Sequence, residues 1–348
     1  MMAYQEEIKR AASAVPDSAF VAYQPSQQEA EPELPRALSF LEDSWRKLRK
    51  NKAAVVTMIL LLIITCLAFL APALSPFDPN EQHLSWKNLP PKWPGVSIDG
   101  LNGTTLFRGR RVDSYELAKV PEGQYFLFGT DEFGRDLLSR CLWGTRISLI
   151  IAFIAALLDL SIGIAYGLFS GMKGGRTDTI MQRILEILSG IPSLVLVVLM
   201  LLIFEPGITS IILAMTISSW IPMARVVRAE TLKIKQMEYV QAAKALGASN
   251  LKIALSHILP NISGIVIVRA MFSIPSAIFF ETFLSFLGVG MRIPNASIGT
   301  LLNGGYKVFK LYPYQMFIPA VILCVIMLSF NLFADGLRDV FDPKMKEG

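Results

Sequence analysis

Three ionisable side chains inside apolar runs are the residues of this chain best placed to do chemistry. Asp159, Arg269 and Glu281 each stand within a run long enough to cross a lipid bilayer. A charge at the bilayer centre costs about 2.5–3.5 kcal/mol on insertion scales, so these side chains should face protein or water rather than lipid. All three are candidates for lining a path for a polar solute. For Asp159 an internal hydrogen bond is the first interpretation. Glu281 is the best single path candidate, with pairing inside the chain as its alternative.

The sequence indicates neither an enzyme nor a metal protein. It contains no HExxH, no GxSxG and no pair of aspartates inside apolar runs. It also lacks GxxxxGK[ST], a loop that holds nucleotide phosphates, so we expect no ATPase site and no cofactor in this chain. Cys66, Cys141 and Cys324 are isolated from one another, which predicts neither a metal site nor a disulfide framework.

The composition is typical of a protein with several membrane spans. Of its 348 residues, 53% are hydrophobic, and the mean hydropathy of +0.47 is too high for a single soluble domain. Six runs approach the length of about 20 residues that a transmembrane helix needs. The net charge of +5 fits basic cytoplasmic loops, and no nucleic-acid motif is present. We therefore predict an all-α integral membrane protein with six transmembrane helices.

Charge and periodicity divide the chain into segments and orient them. Basic residues gather at 46–52, directly before the first apolar run, which places the N-terminus in the cytoplasm and, after six spans, the C-terminus as well. The predicted segments are a disordered cytoplasmic segment (1–36), an amphipathic cytoplasmic interfacial helix (37–52), a first span (53–71), an external loop with an interfacial helix (72–146), a core of five further spans (147–335) and a cytoplasmic tail (336–348).

Glycine and proline inside the predicted spans indicate how the helices pack. A ridge of glycines at every fourth position of the second span predicts close approach of another helix. Its members are Gly163, Gly167 and Gly171. Prolines in the third, fourth and sixth spans predict kinks, and Pro275 predicts a break or a tilt in the fifth. The first three are Pro192, Pro222 and Pro319.

A polar stretch within residues 229–261 separates two apolar runs on the predicted cytoplasmic side. Good helix formers and small residues occupy its first half, from Glu238. Gly247 then permits a turn that a residue with a Cβ resists, and a second helical piece leads to Pro260, where the next span begins. Adjacent alanines leave a shallow face that suits docking into a groove of a partner better than it suits chemistry. The alternative is an ordinary loop between spans.

This stretch resembles the EAA loop of ABC importer membrane subunits, in the variant found in oligopeptide, dipeptide and nickel permeases. Gln241 stands where the family pattern has Glu, so a charged contact would come from Glu238, one turn earlier. His257 stands where the pattern has Ile. The resemblance implies an ATPase-coupling role for Glu238, Gln241, Ala242, Ala243, Gly247, His257, Leu259 and Pro260.

Two further stretches resemble the same permeases and occur in the expected order. Residues 128–140 contain the pattern GTDxxGRD, and residues 281–290 read ETFLSFLGVG. The first stretch predicts an external surface helix capped by Thr130 or Asp131. That helix either contacts a substrate-binding protein or only leads into the second span. Its signature residues are Asp131, Gly134, Arg135 and Asp136.

The resemblance implies the fold of a type I ABC importer permease in the cell membrane of a prokaryote. It implies a homologous second permease subunit, two ABC ATPases that bind ATP and Mg²⁺, an extracytoplasmic binding protein and a peptide substrate. The long first external loop fits the C-type subunit of such systems. Dipeptides, nickel or another small solute are alternative substrates. An ion-driven secondary transporter is a different class, and the internal repeats that such proteins often show are not evident here.

Overall fold

Long helices make up most of the chain. A computed structural model describes residues 40–70, 73, 75–107, 109–204, 207–291 and 294–341. The predicted segment 1–36 and the end of the predicted tail lie outside these residues. The helices are α1 (Phe40–Lys50), α2 (Lys52–Phe69), α3 (Ser114–Leu117), α4 (Leu137–Lys173), α5 (Gly175–Gly190), α6 (Ser193–Ile203), α7 (Ile208–Thr216), α8 (Ile221–Ile234), α9 (Glu238–Ala245), α10 (Asn250–Ile253), α11 (Leu259–Phe286), α12 (Ile298–Val308) and α13 (Tyr314–Phe341).

By length and composition, the described chain has five continuous helical stretches that could cross a membrane. They are Lys52–Phe69, Leu137–Lys173, Ile208–Ile234, Asn250–Phe286 and Tyr314–Phe341. A sixth candidate is the pair α5 and α6, which meet at an angle of 79°. Pro192 precedes α6 in an extended conformation and has no backbone N–H to donate, which fits a break at this point. With the bent pair counted as one span, the six predicted spans are confirmed.

Several predicted boundaries differ from the observed ones. Helix α4 begins at Leu137 rather than at 147, because Asp136 caps it by accepting a hydrogen bond from the backbone N–H of Ser139 at 2.7 Å. Helix α11 is continuous through Pro275. Helix α13 continues to Phe341, so the segment predicted as a tail from 336 begins inside a helix.

The segment between α11 and α13 contains α12, which the sequence did not indicate. Ser297 and Thr300 form a capping box at its start, each side chain bonding the backbone N–H of the other. This reciprocal arrangement satisfies donors that a helix terminus otherwise leaves free. The connection between α11 and α13 is therefore partly helical.

The glycine ridge predicted in the second span is confirmed as a seam between α4 and α8. A Cβ on Gly163, Gly167 or Gly171 would overlap atoms of α8. The atoms it would meet belong to Met223, Ala224, Val227, Arg228 and Thr231. Because only hydrogen fits at these three positions, the two helix backbones approach closely along about two turns.

The largest apolar core lies where α4 packs against α11 and α13. Small residues of α4, such as Ala152 and Ala155, are buried beside the larger Ile278 and Ile326. Alternation of small and large side chains lets the helices interdigitate. This core holds together the helices that carry the three ionisable residues.

The ends of several helices meet on one face of the unit formed by residues 46–348. Asn51 donates to Asp339 at 3.4 Å, which joins the start of α2 to the end of α13. Lys235, just after α8, donates to the carbonyl oxygen of Met172 at 2.6 Å near the end of α4. Gly264, one turn into α11, packs on Phe341 at the end of α13. Residues 229–261, the coupling segment, therefore lie on the same face as the start of α2 and the end of α13.

A folded segment of residues 75–136 lies at the opposite ends of the helices. Two antiparallel strands, β1 (Thr104–Phe107) and β2 (Arg110–Asp113), form its hairpin. Its small core is built around Leu89, Tyr115 and Phe126. The Tyr314 hydroxyl donates to the carbonyl oxygen of Leu89 at 2.8 Å, which fixes this segment to the start of α13.

Residues up to Trp45 and residues from Arg46 onward are two compact units. Of the first unit, the structure describes only Phe40–Trp45, where α1 begins. The amphipathic helix predicted over 37–52 is observed as Phe40–Lys50, and positions 37–39 lie outside the described residues. Asn51 ends it by capping α2, accepting a hydrogen bond from the Ala54 N–H at 3.2 Å.

Candidate functional site

The coupling segment contains a short helix closed by a tight turn. After α9, the Ala248 N–H donates to the Ala243 carbonyl at 3.1 Å and the Gly247 N–H donates to the Lys244 carbonyl at 3.0 Å. This pair of bonds is the Schellman arrangement, which requires a left-handed residue. Gly247 supplies it with φ +87°, and a Cβ there would meet nothing within 4 Å. Conformation, and not lack of space, therefore dictates glycine at this position.

One side of the coupling segment anchors it and the other is open. Val240 is buried in a cluster with Ile234, Ile253 and Ile258, which fixes α9 against the base of the spans. On the open side, Leu246 is 89% exposed. The other exposed side chains of the segment include Met237, Glu238, Tyr239, Gln241, Ala242, Leu251, Leu255 and Pro260.

The residues predicted to couple to an ATPase are placed together on this segment. Gln241 uses its amide to cap the end of α8, donating to the Lys235 carbonyl at 2.8 Å, so its side chain has a local structural role. His257 is half-buried, and the centroid of its ring lies 6.4 Å from the ring centroid of Tyr239. Leu259 is half-buried, whereas Pro260 is exposed.

The second half of the coupling segment is continuous with a long span. Residues Asn250–Ile253 form α10, Ala254–Ile258 form a π-helical turn, and α11 follows directly. Pro260 cannot donate a backbone hydrogen bond, and the Asn261 side chain donates to the His257 carbonyl at 2.6 Å. Displacement of the exposed turn would thus act directly on α11.

An ion pair that sequence reasoning missed braces the base of the coupling segment. Arg228 donates from Nε and Nη2 to the two carboxylate oxygens of Asp178, each at 2.5 Å. Ser170 donates to the same carboxylate at 2.5 Å. Lys235 adds a bond to the carbonyl end of α4, where a cation is favoured by the helix dipole. The sequence carries no local signal for this pair, because its two residues are 50 positions apart.

Glu281 is enclosed within the chain. Its carboxylate accepts hydrogen bonds from the hydroxyls of Ser148 and Ser285 at 2.8 Å each, and the side chain is fully buried. The Ser148 bond joins α4 to α11, and Ser148 also accepts a hydrogen bond from the backbone N–H of Ile298 at the start of α12. The geometry of Glu281 fits the alternative to a path role, in which its carboxylate is paired inside the chain.

Asp159 and Arg269 line one cavity of about 360 Å³. The Ser219 hydroxyl donates to the Asp159 carboxylate, the internal hydrogen bond expected for this residue. Arg269 is half-buried, and its Nε is buried without a hydrogen-bond partner among the described residues. The other polar side chains of the wall are Ser193, Ser218, Ser219, Ser273 and Ser276. The structure thus brings together two of the three path candidates and separates Glu281 from them.

The GTDxxGRD pattern forms a buried clasp, residues 129–136, rather than a surface helix. Asp131 accepts from the backbone N–H groups of Phe133 and Arg135 at 2.9 and 3.0 Å, and from Arg135 Nε at 2.7 Å. Gly134 adopts φ +73°, and the chain therefore turns here instead of continuing as a helix. The prediction of a helix capped by Thr130 or Asp131 is wrong for this reason. Asp131, Arg135 and Asp136 are all buried.

Charges inside the clasp are only partly compensated. Arg140 Nε lies 3.3 Å from Asp131, and Arg135 Nη1 is buried without a partner in the described chain. Burial raises the pKa of the Asp136 carboxyl, although hydrogen bonds from Ser139 act in the opposite direction. These residues hold the 75–136 segment on the helix ends from inside.

Comparison with known protein families identifies the core of the chain. Residues 163–347 match the family described as the inner membrane component of binding-protein-dependent transport systems. The match covers more than half of the 348 residues. This chain belongs to that family. The permease also matches, over residues 39–91, the N-terminal transmembrane domain of oligopeptide transport permease C.

Full-length relatives agree with this assignment. The permease is 44% identical to the dipeptide transport system permease protein DppC of Lactococcus lactis, over 89% of this chain and 92% of the relative. It is 39% identical to DppC of Bacillus subtilis, over 95% of this chain and 94% of the relative. It is also 39% identical to the oligopeptide transport system permease protein OppC of Bacillus subtilis, over 90% and 92% respectively.

Membership settles the class of protein. The permease is a multi-pass inner membrane component of an ABC importer, and subunits of this kind carry no ATPase site of their own. The predicted family and fold class are thereby confirmed.

Proposed function

We propose that this chain is a membrane-spanning subunit of an ATP-driven peptide importer, of the C type. Relatives at 39–44% identity over nearly their whole length are dipeptide and oligopeptide permeases by name. The match of residues 39–91 to the N-terminal domain of permease C supports the subunit type. A homologous permease subunit completes the pathway, and an extracytoplasmic binding protein delivers the peptide.

The observation that carries the coupling role is the exposed turn at Leu246 and Gly247. Leu246, Leu251 and Leu255 are 89%, 69% and 51% exposed on this one segment, and a group of exposed apolar side chains marks an interaction site. We therefore expect Leu246 to insert into a groove of the partner. The partners are two ABC ATPases, which bind ATP and Mg²⁺ in place of this chain. Closure of the ATPases would move the turn, and the continuous helix from α10 to α11 would pass that movement to the spans.

The proposed orientation places the coupling segment and both termini in the cytoplasm. Basic residues at 46–52, 173–176 and 228–235 lie on the face that also carries the coupling segment. The ion-pair and hydrogen-bond contacts among these regions support a shared side. The 75–136 segment and α12 then lie outside, where a binding protein docks.

The test uses the whole transporter reconstituted in proteoliposomes, with ATP-driven uptake of a labelled dipeptide as readout. Leu246→Glu should remove the ATPases from the purified complex and abolish uptake, while the membrane subunits still insert. Leu311→Glu is the matched control for retention of the ATPases, because Leu311 is 76% exposed and lies between α12 and α13, at the other end of the helices. Retention of the ATPases by Leu246→Glu would contradict the coupling role. Uptake by this chain alone along an ion gradient would refute the importer function itself.

A further inference from the structure

We propose that the cavity containing Asp159 and Arg269 binds the charged termini and backbone of the transported peptide. The proposal rests on the peptide-import function above and adds a recognition site within this subunit. Asp159 is the partner for the peptide α-ammonium group, and Arg269 is the partner for its carboxylate. Hydroxyl groups of the wall bond the peptide amides between the two ends.

The first argument is that the two opposite charges face one cavity without a direct ion pair. Asp159 accepts a hydrogen bond from Ser219, and Arg269 Nε is buried without a hydrogen-bond partner in the described structure. Among the described residues the two side chains form no direct ion pair, and Arg269 acts on the Asp159 carboxylate only through space. A charge at the depth of the spans is favoured by a direct counter-charge. A zwitterionic ligand supplies one to each side chain.

The second argument is the position of the two residues. Asp159 lies about 20 Å along α4 from the end of that helix at Lys173, given a rise of about 1.5 Å per residue. Arg269 lies well inside the continuous helix Asn250–Phe286. The cavity therefore opens at the depth of the spans, where a permeating solute has lost bulk water and needs polar partners.

The third argument is the character of the wall. Five serine side chains accompany the two charges, and apolar residues such as Phe272 and Phe280 fill the remainder. Ser219 donates its hydroxyl proton to Asp159, and Ser273 and Ser276 donate theirs to helix carbonyls. Their oxygens remain acceptors for peptide N–H groups, whatever the peptide sequence. The volume of about 360 Å³ is at the small end of ligand sites and suits a short backbone stretch with its terminus.

The fourth argument is the connection of this wall to the coupling segment. Arg269 stands on α11, which is continuous through the π-helical turn with α10. Asp159 stands on α4, whose glycine seam with α8 leads to Lys235. Arg269 is thus carried by the helix that follows the coupling segment, and Asp159 by the helix that packs on α8, which precedes it. A change in the separation of α4 and α11 would therefore bind or release a zwitterion.

The experiment compares uptake of one dipeptide with uptake of its N-acetylated and C-amidated forms by the reconstituted complex. Each variant is assembled with the same binding protein and ATPases, so a change in preference reports on this chain. Wild type should prefer the free dipeptide to either blocked form. Arg269→Gln should reduce the preference for the free carboxylate roughly tenfold, the effect of one charge-assisted hydrogen bond. Asp159→Asn should reduce only the preference for the free amino terminus.

The crossed pattern separates recognition from structural damage, because a merely misfolded subunit would lose all three peptides equally. Arg338→Gln is the control, since Arg338 shares a second cavity with Arg269 but is not part of this wall. If Arg269→Gln takes up nothing, Arg269→Lys must restore uptake with preference for the free carboxylate. Two outcomes would overturn the proposal. One is an assembled complex that takes up no peptide with either Arg269→Gln or Arg269→Lys. The other is an active variant whose preference among the free and blocked peptides is the same as that of wild type. A wild-type complex that moves no peptide refutes the proposed function instead.

Discussion

Arg228 and Asp178 form a two-pronged ion pair that ties α8 to the first turn of α5. The side chains are 26% and 13% exposed, so water screens the pair less than it screens a surface pair. Helix α8 leads directly into the coupling segment, and α5 begins the bent span. The pair therefore links the proposed site of ATPase contact to the one span that changes direction.

Breaking this pair should uncouple ATP hydrolysis from transport. In Arg228→Gln the Asp178 carboxylate loses its counter-charge, and we expect peptide uptake per ATP hydrolysed to fall about tenfold. The charge-swapped double variant Asp178→Arg with Arg228→Asp should recover part of the loss. Arg183→Gln is the control, because the Arg183–Glu186 pair on the same helix is 71% and 55% exposed and such pairs contribute little. Equal effects of the two glutamine variants would contradict the assignment.

The conformation of Gly247 gives a second prediction about the same segment. A left-handed backbone costs an ordinary residue about 1–2 kcal/mol, whereas asparagine tolerates it better. Because a Cβ at this site meets open space, Gly247→Asn should retain most uptake and Gly247→Val should lose it while ATP hydrolysis continues.

Membrane insertion of the Gly247 variants should be normal, as judged by the yield of assembled complex. Gly304→Val serves for comparison, since Gly304 also has free space around it but does not have a positive φ. Identical uptake by the valine and asparagine variants of Gly247 would show that backbone strain is not the cause.

Sequence reasoning reached the fold class, the span count and the glycine seam because each depends on local composition or on regular spacing. Runs of apolar residues predict spans wherever the chain lies, and Gly163, Gly167 and Gly171 recur at helical spacing. The turn at Gly247 was also predictable from local sequence, because glycine is the residue type that adopts a left-handed backbone at little cost.

The partners of ionisable groups were not predictable, because they depend on contacts between residues far apart in the chain. Glu281 is satisfied by Ser148 across the seam between α4 and α11, and Asp178 by Arg228. Nothing in the local pattern of either acid specifies these partners. The clasp was missed for a related reason. An aspartate can cap a helix or close a turn, and only the folded structure shows that the Asp131 carboxylate accepts its hydrogen bonds from a turn.

The external hairpin should open at acid pH. Burial acts to raise the pKa of the Asp113 carboxyl, but the hydrogen bond from Lys92 and the Tyr115 N–H outweigh it, so this pKa lies below its ordinary value. A depressed carboxyl pKa stabilises the fold above the ordinary value of about 3.9, and the contribution is lost as pH falls through the folded-state value. Amide hydrogen exchange over residues 104–113 should accelerate, after correction for intrinsic rates, only below about pH 4.

Removing the cation tests that explanation. Lys92→Met should weaken or abolish the acid-induced opening, because the 2.7 Å bond that lowers the Asp113 pKa is lost while the burial that raises it remains. Arg111→Met should leave the acid response unchanged, since the Arg111–Asp99 pair is 61% and 60% exposed. A full acid response in Lys92→Met would assign it to another group.

Gly134 provides a sharp test of the clasp, because its cost can be separated from backbone strain. Both Gly134 and Gly100 have positive φ, but a Cβ on Gly134 would overlap the backbone carbonyl of His83, whereas one on Gly100 meets nothing within 4 Å. Alanine at Gly100 therefore costs only the strain of a left-handed backbone, about 1–2 kcal/mol. Alanine at Gly134 must in addition displace the backbone that packs on the clasp. We expect Gly134→Ala to make residues 75–136 sensitive to external protease and to lower uptake severalfold, and Gly100→Ala to do neither. Equal protease sensitivity of the two variants would mean that the fit against His83 does not hold this segment in place.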